Sequence, residues 1–232
     1  MFKTELHLHT REVSTCCDTD TAVSAARYLK AGYTTVTVTD HYNPALCRRI
    51  PDVAERVEFF TSGYRAFCRE LEGKATVLFG FELCLTESYN DYLVYGLGAD
   101  FLLANPDLCE MARADAVEAI HAAGGMIYQA HPFRNRMTVM DPKGLDGIEI
   151  FNAHNTHDSR NYLAYALAKQ EKLAGIAGTD FHHPHHWPTA GIVTADAILS
   201  TAELLNILRA GTYHTFGEII PREQVLAMVG SP

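Results

Sequence analysis

The sequence lacks several features that would assign the protein to a membrane or to an exported class. It contains no run of eighteen apolar residues, which excludes an ordinary transmembrane helix. Its first residues do not combine a basic segment with an apolar one, so they do not resemble a secretory signal. We therefore expect a cytoplasmic protein without a membrane partner. The sequence offers no basis for predicting an oligomeric state.

Basic residues are also scarce. The 232 residues include 19 Lys and Arg against 28 Asp and Glu, which gives a formal net charge of −9. Non-specific binding of nucleic acid depends on basic side chains that displace counterions, so we do not expect nucleic acid as a partner. A small phosphorylated substrate remains compatible with this charge, because bound divalent cations would reverse its sign locally.

Paired cysteines are missing as well. The six cysteines form no C-x-x-C pair, which argues against a structural zinc site held by thiolates. We interpret most of them as buried thiols. Histidine, in contrast, is abundant, with twelve residues in the chain. The positions of these histidines carry more information than their number.

The order of apolar segments predicts an α/β protein made of one domain over residues 1–232. Helical patterns alternate with short β-branched or apolar runs, as in a parallel sheet built of βα units. A closed barrel and an open doubly wound sheet both fit this alternation. The predicted strands are 3–9, 34–40, 75–83, 91–97, 126–132, 147–152, 173–180 and 190–195. The predicted helices are 20–31, 53–72, 107–123, 157–171, 201–210 and 221–229.

Side chains that bind metals recur at the carboxyl ends of these predicted strands. In a parallel barrel all such ends open onto one face, where active sites lie. Taken singly, each has an ordinary explanation, such as a helix cap for an Asp or a rim hydrogen bond for a His. Six strand ends with the same chemistry favour a metal centre instead. These side chains are His7, His9, Asp40, His41, Glu82, His131, Asn152, His154, Asp180 and His182.

The chemistry of this set indicates the metals. Imidazoles combined with carboxylates suit Zn, Mn or Fe, and no cysteine cage is present. The candidates exceed what a single ion needs, so we predict two or three divalent ions. A carboxylate such as Glu82 would bridge two of them.

Five short motifs, in this order, resemble the PHP (polymerase and histidinol phosphatase) domains. They are "HLHT" (7–10), "TDH" (39–41), "GFE" (80–82), "AHP" (130–132) and "GTDFH" (178–182). The resemblance spans nearly the whole chain. It implies a distorted (β/α)7 TIM-like barrel with two or three metals at the strand carboxyl ends, and hydrolysis of phosphate esters. The ligands that it implies are His7, His9, His41, Glu82, His131, Asp180 and His182.

Two positions depart from the pattern of that family. Many members carry a His or Asp ligand in the loop after the paired histidines, where this chain has "REVSTCCDTD". We favour Glu12, because it lies three residues past His9, and a thiolate from Cys16 or Cys17 remains the alternative, as do Asp18 and Asp20. Trinuclear members have a further His where this chain has Asn90 and Asp91. The third ion is therefore open, or it takes an Asp ligand.

Four further residues are candidates for roles around the metals. Arg134 should stand at the mouth and bind phosphate oxygens through its guanidinium group, with a rim ion pair as the alternative. Asn152 is a candidate for binding substrate and His154 for donating a proton to the leaving group. Asp40 should orient a ligand imidazole from behind. The segment "FHHPHHWP" (181–188) is interpreted as a loop over the mouth, with His182 alone binding metal.

The leading hypothesis is an enzyme, a metal-dependent phosphoesterase that hydrolyses a small phosphorylated metabolite. Two metals a few ångströms apart suit this reaction, since they activate water and hold the oxygens of the transferred group. The alternatives are a histidinol-phosphatase-like enzyme, a PHP module associated with DNA polymerase or nuclease activity, and a non-catalytic metal-binding barrel. The single predicted domain and the acidic charge disfavour the polymerase module. The nearly full ligand set disfavours the non-catalytic barrel.

Overall fold

The computed structural model describes residues 1–229, so the last three residues of the predicted domain lie outside the described residues. The strands are β1 Phe2–Glu5, β2 Tyr33–Val38, β3 His41–Tyr42, β4 Thr76–Cys84, β5 Asp91–Tyr95, β6 Met126–Gln129, β7 Gly147–Asn152, β8 Ala174–Gly178, β9 Ala190–Thr194 and β10 His214–Gly217. The α-helices are α1 Thr21–Lys30, α2 Pro44–Arg49, α3 Val53–Phe60, α4 Ser62–Leu71, α5 Ala99–Ala104, α6 Arg113–Ala122, α7 Asn161–Glu171, α8 Thr201–Ala210 and α9 Arg222–Val229. A short 3-10 helix covers Leu108–Glu110. Between residues 1 and 229, no helix is long and apolar enough to span a bilayer.

The strands form one sheet that curls into a nearly closed barrel. Their order is β10-β9-β1-β2-β4-β5-β6-β7-β8, with β3 paired to β4. Strand β8 also lies against β9 and β10, which brings the two ends of the sheet together. The predicted distorted α/β barrel is therefore confirmed.

The expectation of a purely parallel sheet is wrong at two places. Strand β5 runs antiparallel to both β4 and β6, and β9 runs antiparallel to both β1 and β10. A parallel connection needs a crossover of a dozen or more residues, usually helical. Only residues 85–90 connect β4 to β5, so β5 returns as the second strand of a hairpin.

The helices begin where the sequence supplies caps. The Asp20 side chain accepts a hydrogen bond from the amide of Ala22 at the start of α1, and Ser200 caps α8 in the same way. The predicted helix over 53–72 is two helices, α3 and α4, which meet at Thr61. Near the start of α4, a Cβ on Gly63 would collide with Thr10 and lie 2.6 Å from Asp40 Oδ2. Helix α4 thus packs directly against the loop that follows the paired histidines.

Strand β1 ends at Glu5, earlier than predicted, because a buried side chain replaces its ladder partners. One carboxylate oxygen of Glu5 accepts hydrogen bonds from the amides of His7 and Thr179, each at 2.9 Å. Burial raises the pKa of Glu5 to about 7, although these hydrogen bonds oppose the shift. Beyond this point the amide of Asp180 donates to the His7 carbonyl at 2.8 Å. The "HLH" and "TDFH" segments therefore lie side by side.

Candidate metal centre

The strand ends bring the predicted ligands into one buried cluster, with Glu82 at its centre. Glu82 Oε1 lies 3.4 Å from His7 Nε2 and 3.2 Å from His131 Nε2. Its other oxygen lies 3.3 Å from His9 Nε2 and 2.8 Å from His41 Nδ1. The Glu82 side chain is fully buried. One carboxylate thus faces four imidazoles from three different parts of the barrel rim.

Asp180 faces the same imidazoles with a second carboxylate. Its Oδ1 atom lies 3.4 Å from Nε2 of both His7 and His9, and 3.2 Å from His182 Nδ1. Its Oδ2 atom lies 4.0 Å from His131 Nε2. His7 and His9 therefore stand between the two carboxylates of the cluster.

Hydrogen bonds fix which nitrogen of His7 and His9 faces the cluster. His7 Nδ1 lies 3.0 Å from a carboxylate oxygen of Glu149, so Nδ1 carries the proton and Nε2 keeps its lone pair. Ser14 gives its hydroxyl proton to Asp40 at 2.6 Å and therefore accepts from His9 Nδ1 at 3.2 Å. Two Nε2 lone pairs then face each other at 3.1 Å. Burial lowers the pKa of His7, but Asp180, Glu149 and Glu82 outweigh burial and raise that pKa well above its ordinary value, so a proton lies between the two nitrogens in the metal-free protein. A metal ion would take the place of this proton and use both lone pairs.

The spacing of the cluster fits a divalent metal. Zinc–ligand bonds of about 2.0–2.1 Å in a tetrahedral shell place neighbouring ligand atoms about 3.3 Å apart. The Nε2 atoms of His7 and His9 lie 3.1–3.4 Å from each other and from the nearest oxygens of Glu82 and Asp180. Both oxygens of Glu82 are buried and face imidazole nitrogens at 2.8–3.4 Å. The residues present therefore fit a bound cation.

The electrostatics of the cluster keep its carboxylates ionised. Burial raises the pKa of Glu82, but His41 and His7 outweigh burial and hold that pKa well below its ordinary value. The pKa of Asp180 is likewise well below its ordinary value, because His7 and His182 outweigh the effect of burial. Metal ligands must be deprotonated, so both carboxylates are in the form that coordination requires.

Backbone strain is concentrated at the same place. His131 and Asp180 have positive φ angles of 25° and 54°, in a region that non-glycine residues seldom occupy. A Cβ on Gly178 would collide with the Cβ of His7 and lie 3.1 Å from Glu149 Oε1. Strained residues of this kind persist where the surrounding structure over-determines them, and they cluster at functional sites.

A second group of possible ligands adjoins the first. Ring nitrogens of His9, His41 and His182 lie within 4.8 Å of one another. Cys16 Sγ lies 3.1 Å from His182 Nε2. Burial raises the pKa of the Cys16 thiol, but His182 and His41 outweigh burial and lower that pKa to about 6. A thiolate is therefore accessible here at neutral pH.

Comparison with known proteins gives two short matches in sequence. The chain is 42% identical over 85 residues to a 5′-3′ exoribonuclease of Haemophilus influenzae and 32% identical over 95 residues to the 5′-3′ exoribonuclease Rnm of Escherichia coli. The matched segments cover 33% and 37% of this chain. They span 31% of the length of each relative, less than two thirds of either protein. No family model matches the sequence.

The match in structure is far more extensive. A two-domain protein of Bacteroides vulgatus that contains a predicted PHP-like metal-dependent phosphoesterase superposes with a TM-score of 0.65 at 14% identity. The superposition covers 97% of this chain and 68% of that one. The chain has the PHP fold. This agrees with the resemblance carried by the five sequence motifs.

Within the PHP fold of this chain, Glu12 is not at the position that we favoured for it. Its Oε2 atom accepts a hydrogen bond of 2.6 Å from the Thr21 hydroxyl at the start of α1. The chain makes tight turns after Thr10, which send Glu12 to one side and bring Cys16 to the cluster instead. The geometry thus favours the alternative of Cys16 over Glu12, and the ligand that this loop supplies stays a prediction.

Asn152 does not line the mouth, contrary to its predicted role in binding substrate. Its Nδ2 donates to Glu149 at 3.0 Å and to Asp180 at 3.1 Å. Its Oδ1 accepts from the amide of His154 and from the Ser159 hydroxyl. The side chain is fully buried and all its hydrogen-bonding capacity is used. Asn152 therefore positions the two carboxylates, and no hydrogen-bonding group of its side chain is free for a substrate.

Arg134 lies beside Asp91, whose charge interacts with that of Glu82, and its predicted role in binding phosphate stays a prediction. Its side chain is 31% exposed, and Nη2 lies 3.4 Å from Oδ2 of the buried Asp91. Burial and the charge of Glu82 raise the pKa of Asp91. Asn90, in contrast, exchanges two hydrogen bonds with the backbone of Thr138, so it anchors a loop. Asp91 is thus the nearer of the two candidates to the metal centre.

His154 reaches the cluster from the loop after β7. A ring nitrogen of His154 forms a group with Asp180 and His182 whose ligand atoms all lie within 4.8 Å of one another. His154 Nδ1 accepts from the amide of Thr156 at 3.3 Å, which leaves the proton on Nε2. Burial lowers the pKa of His154 to about 2, so the ring is neutral at neutral pH and lacks the extra proton that the predicted proton donor would need.

Sequence reasoning missed Glu149 and Ser14. Glu149 contacts His7 Nδ1 through one oxygen and accepts from the amide of His131 at 2.9 Å through the other. A buried charge in the middle of the apolar strand "GIEIFN" was the available signal. Ser14 carries the contact between Asp40 and His9, and nothing in the spacing of the sequence marks it.

Proposed function

We propose that the protein is a metal-dependent phosphoesterase that uses two or three divalent ions, Zn, Mn or Fe, to hydrolyse a small phosphorylated molecule. The observation that carries the proposal is the pair of Nε2 lone pairs of His7 and His9, which face each other at 3.1 Å between two ionised carboxylates. A bound metal ion would relieve the repulsion in this arrangement, as a proton on His7 does in the metal-free protein. Several such groups side by side are typical of sites that act on phosphate esters.

The ligands separate into three groups, of which the first and the third share Glu82. The first group is held between two carboxylates, the second uses Cys16 in place of a carboxylate, and the third lies toward Arg134. We assign them, in that order, as His7, His9, Glu82 and Asp180; His41, His182 and Cys16; and His131, Glu82 and Asp91. Imidazole and thiolate together favour Zn or Fe at the second group.

The chain's own residues supply the rest of the mechanism. When bound, the divalent ions would activate water and neutralise charge on the phosphate group. The guanidinium of Arg134 binds non-bridging phosphate oxygens, for which its fork of donors is suited. Burial lowers the pKa of His154 to about 2, so its neutral ring would donate a hydrogen bond to a phosphate oxygen through Nε2–H, and the proton for the leaving oxygen would come from water. Asp40 and Ser14 keep His9 in the tautomer that faces the metal.

A second candidate substrate is the end of an RNA chain. Both curated relatives are named as 5′-3′ exoribonucleases, which counts against our expectation that nucleic acid is not a partner. The net charge of −9 disfavours a long basic track for RNA. A terminal nucleotide, however, requires contacts at the barrel mouth alone. The cytoplasm, which suits both substrates, remains our proposal for the location.

The decisive experiment measures hydrolysis by the purified full chain after resupply of Zn²⁺, Mn²⁺ or Fe²⁺. The substrates are an aryl phosphate, histidinol phosphate, nucleoside monophosphates and a short RNA with a labelled 5′ end. We expect metal-dependent release of phosphate from at least one small substrate, and no release by Glu82→Gln. Release of nucleotides from RNA alone would favour the second candidate. Stoichiometric metal binding without hydrolysis of any substrate would instead identify a non-catalytic barrel.

A further inference from the structure

The loop over the barrel mouth contains a histidine whose protonation is fixed by the backbone. His186 is 2% exposed, and its Nδ1 atom accepts a hydrogen bond of 3.0 Å from the amide of His182. An acceptor nitrogen must keep its lone pair, so the ring proton of His186 is on Nε2. His186 is therefore a neutral imidazole that presents an N–H.

His154 has the same arrangement and lies next to His186. Its Nδ1 accepts from the amide of Thr156, which also leaves the proton on Nε2. The two ring centroids are 4.4 Å apart, with the planes at 79°. Ring nitrogens of His154, His183 and His186 all lie within 4.8 Å of one another. Two imidazoles with the same tautomer thus converge beside the metal centre.

The N–H of His186 lacks an acceptor inside the protein. Among residues 1–229, no hydrogen-bond partner exists for its buried Nε2 atom. A buried donor without a partner is costly, so an acceptor from outside the chain would stabilise this loop. A metal ion is a poor candidate, because it would need the Nε2 lone pair while a backbone N–H already occupies the Nδ1 lone pair. The acceptor has to be an oxygen with spare lone pairs.

The loop that carries His186 is held rigidly. Arg27 Nη1 donates to the carbonyls of Pro184 and His186 at 2.7 and 2.8 Å, from helix α1. His183 Nδ1 lies 2.9 Å from Asp18, so the outer side of the loop is tied down as well. The donor on His186 is therefore fixed in position before any ligand arrives.

We infer that His154 and His186 form an oxyanion-binding site, which accepts an oxygen of a phosphate group through two neutral Nε2–H donors. The site adjoins Asp180 and His182 of the metal centre, so one phosphate group can contact both the site and the metals. His186 is a binding residue for the substrate and not a metal ligand. That the anion is a phosphate group rests on the proposed function. That His154 and His186 present N–H donors rests on their hydrogen bonds alone.

The first test is the tautomer itself, which does not depend on activity. Long-range proton–nitrogen correlation spectra of the zinc-loaded full chain, labelled with 15N-histidine, distinguish a protonated Nε2 from a protonated Nδ1. We expect His154 and His186 to be protonated at Nε2, and inorganic phosphate to shift both Nε2–H signals. A proton on Nδ1 of His186, or phosphate signals confined to other histidines, would overturn the inference.

The second test uses a pair of substitutions that separate the two nitrogens of His186. His186→Asn keeps an acceptor near the Nδ1 position for the amide of His182 but removes the distal donor. His186→Gln places an amide N–H near the Nε2 position. We expect His186→Asn to bind inorganic phosphate about tenfold more weakly, as the loss of one hydrogen bond implies. His186→Gln should recover part of this affinity, and the neighbouring control His185→Ala should not change it.

The metal content of these variants decides between an anion and a cation. We expect His186→Asn to retain the full number of bound ions. Loss of one ion per chain would show that His154, His183 and His186 bind a metal, and unchanged phosphate affinity would show that His186 binds neither. Failure of the proposed function is distinguishable from both, because phosphate would still bind to the wild-type chain without any ester being hydrolysed.

Discussion

The histidines at the barrel mouth fall into two sets that differ in which nitrogen carries the proton. In the first set, Nδ1 of His7, His9 and His182 contacts an acceptor, which is a carboxylate, a hydroxyl and a backbone carbonyl respectively. Their Nε2 atoms are therefore the nitrogens that would bind a metal once any proton on them is released. In the second set, Nδ1 of His154 and His186 accepts from backbone amides. Their Nε2 atoms carry protons. The first set is prepared for a cation and the second for an anion.

The difference shows that the partner of the far nitrogen, and not the residue type, decides what a histidine binds. His182 links the two sets. Its ring belongs to the metal-facing set, whereas its backbone N–H fixes the tautomer of His186. A phosphate ester between the two sets would meet positive charge on one side and neutral N–H donors on the other.

Metal binding by the metal-facing set should be weakened most by removing the negative charge of Glu82, which His7 and His9 both approach. Glu82→Gln should abolish metal binding at two groups and reduce turnover about a thousandfold, since metal stabilisation of a transition state is worth several kcal/mol. Elemental analysis and kinetics measure the two effects. The matched control is Glu12→Gln, which changes a carboxylate on the nearby loop that bonds to Thr21. Full activity of Glu82→Gln would show that Glu82 is a rim residue.

The comparison can be sharpened by changing the tautomer of one histidine without touching the ligands. Glu149→Gln replaces the acceptor at His7 Nδ1 with a group that presents either oxygen or N–H. Changes of this kind typically reduce metal affinity 10–100-fold, and we expect a value of about that size. Competition with a chelator measures it. As a control, substitution of the exposed Glu171 by Gln should leave the metal affinity unchanged. If Glu149→Gln also leaves it unchanged, Glu149 does not fix the tautomer of His7.

A smaller effect on hydrolysis is expected from Arg134, whose guanidinium group lies beside the metal centre and does not bind the metals. Arg134→Ala should slow ester hydrolysis about ten- to hundredfold, as loss of a charge-assisted hydrogen bond of roughly 1.5–3 kcal/mol implies, with metal content intact. Arg134→Lys should recover part of the loss, because an ammonium cannot form the bidentate contact. Arg136→Ala, two residues along the same loop, is the control. Wild-type kinetics for Arg134→Ala would leave Arg134 as the ion-pair partner of Asp91.

The residues of the metal-facing set were largely predictable from sequence, because a barrel brings the carboxyl ends of its strands together. Carboxyl ends of the strands meet at one rim, so residues such as Glu82 and His131 could be expected together despite their separation in sequence. The antiparallel course of β5 was not expected, because strand periodicity carries no direction. Its residues still reach the rim, since Asp91 starts β5 where β4 ends.

The tautomers of the second set, and the roles of supporting residues such as Asn152, could not be predicted from the sequence. A tautomer depends on hydrogen bonds such as that from the His182 amide to His186 Nδ1, and spacing does not encode it. Asn152 was misassigned because its place past a strand resembles that of a substrate ligand, whereas its amide joins two buried carboxylates. For the loop of Glu12 and Cys16, distance along the chain was a poor guide, since tight turns decide which side chain points inward.

The loop that contains Glu12 and Cys16 provides the prediction with the smallest expected effect, a change in metal preference. Cys16→Asp exchanges a soft thiolate for a carboxylate next to His182 and should keep the number of bound ions. The preference between Zn²⁺ and Mn²⁺ should shift severalfold towards Mn²⁺, because carboxylate oxygen suits the harder ion. Competitive loading followed by elemental analysis measures this ratio. Cys68→Ser, on helix α4, is a control that should leave the ratio at its wild-type value.

Alkylation of Cys16 gives the same test without a substitution at the site. Its thiol is exposed and its pKa is lowered to about 6, so iodoacetamide should modify it readily at neutral pH in the metal-free chain. Bound metal should protect it, because a coordinated thiolate is a weaker nucleophile and is covered by the ion. Mass spectrometry of the labelled peptide measures the protection. Equal labelling with and without metal, together with an unchanged ion preference for Cys16→Asp, would mean that the sulphur stands beside His182 without binding a metal.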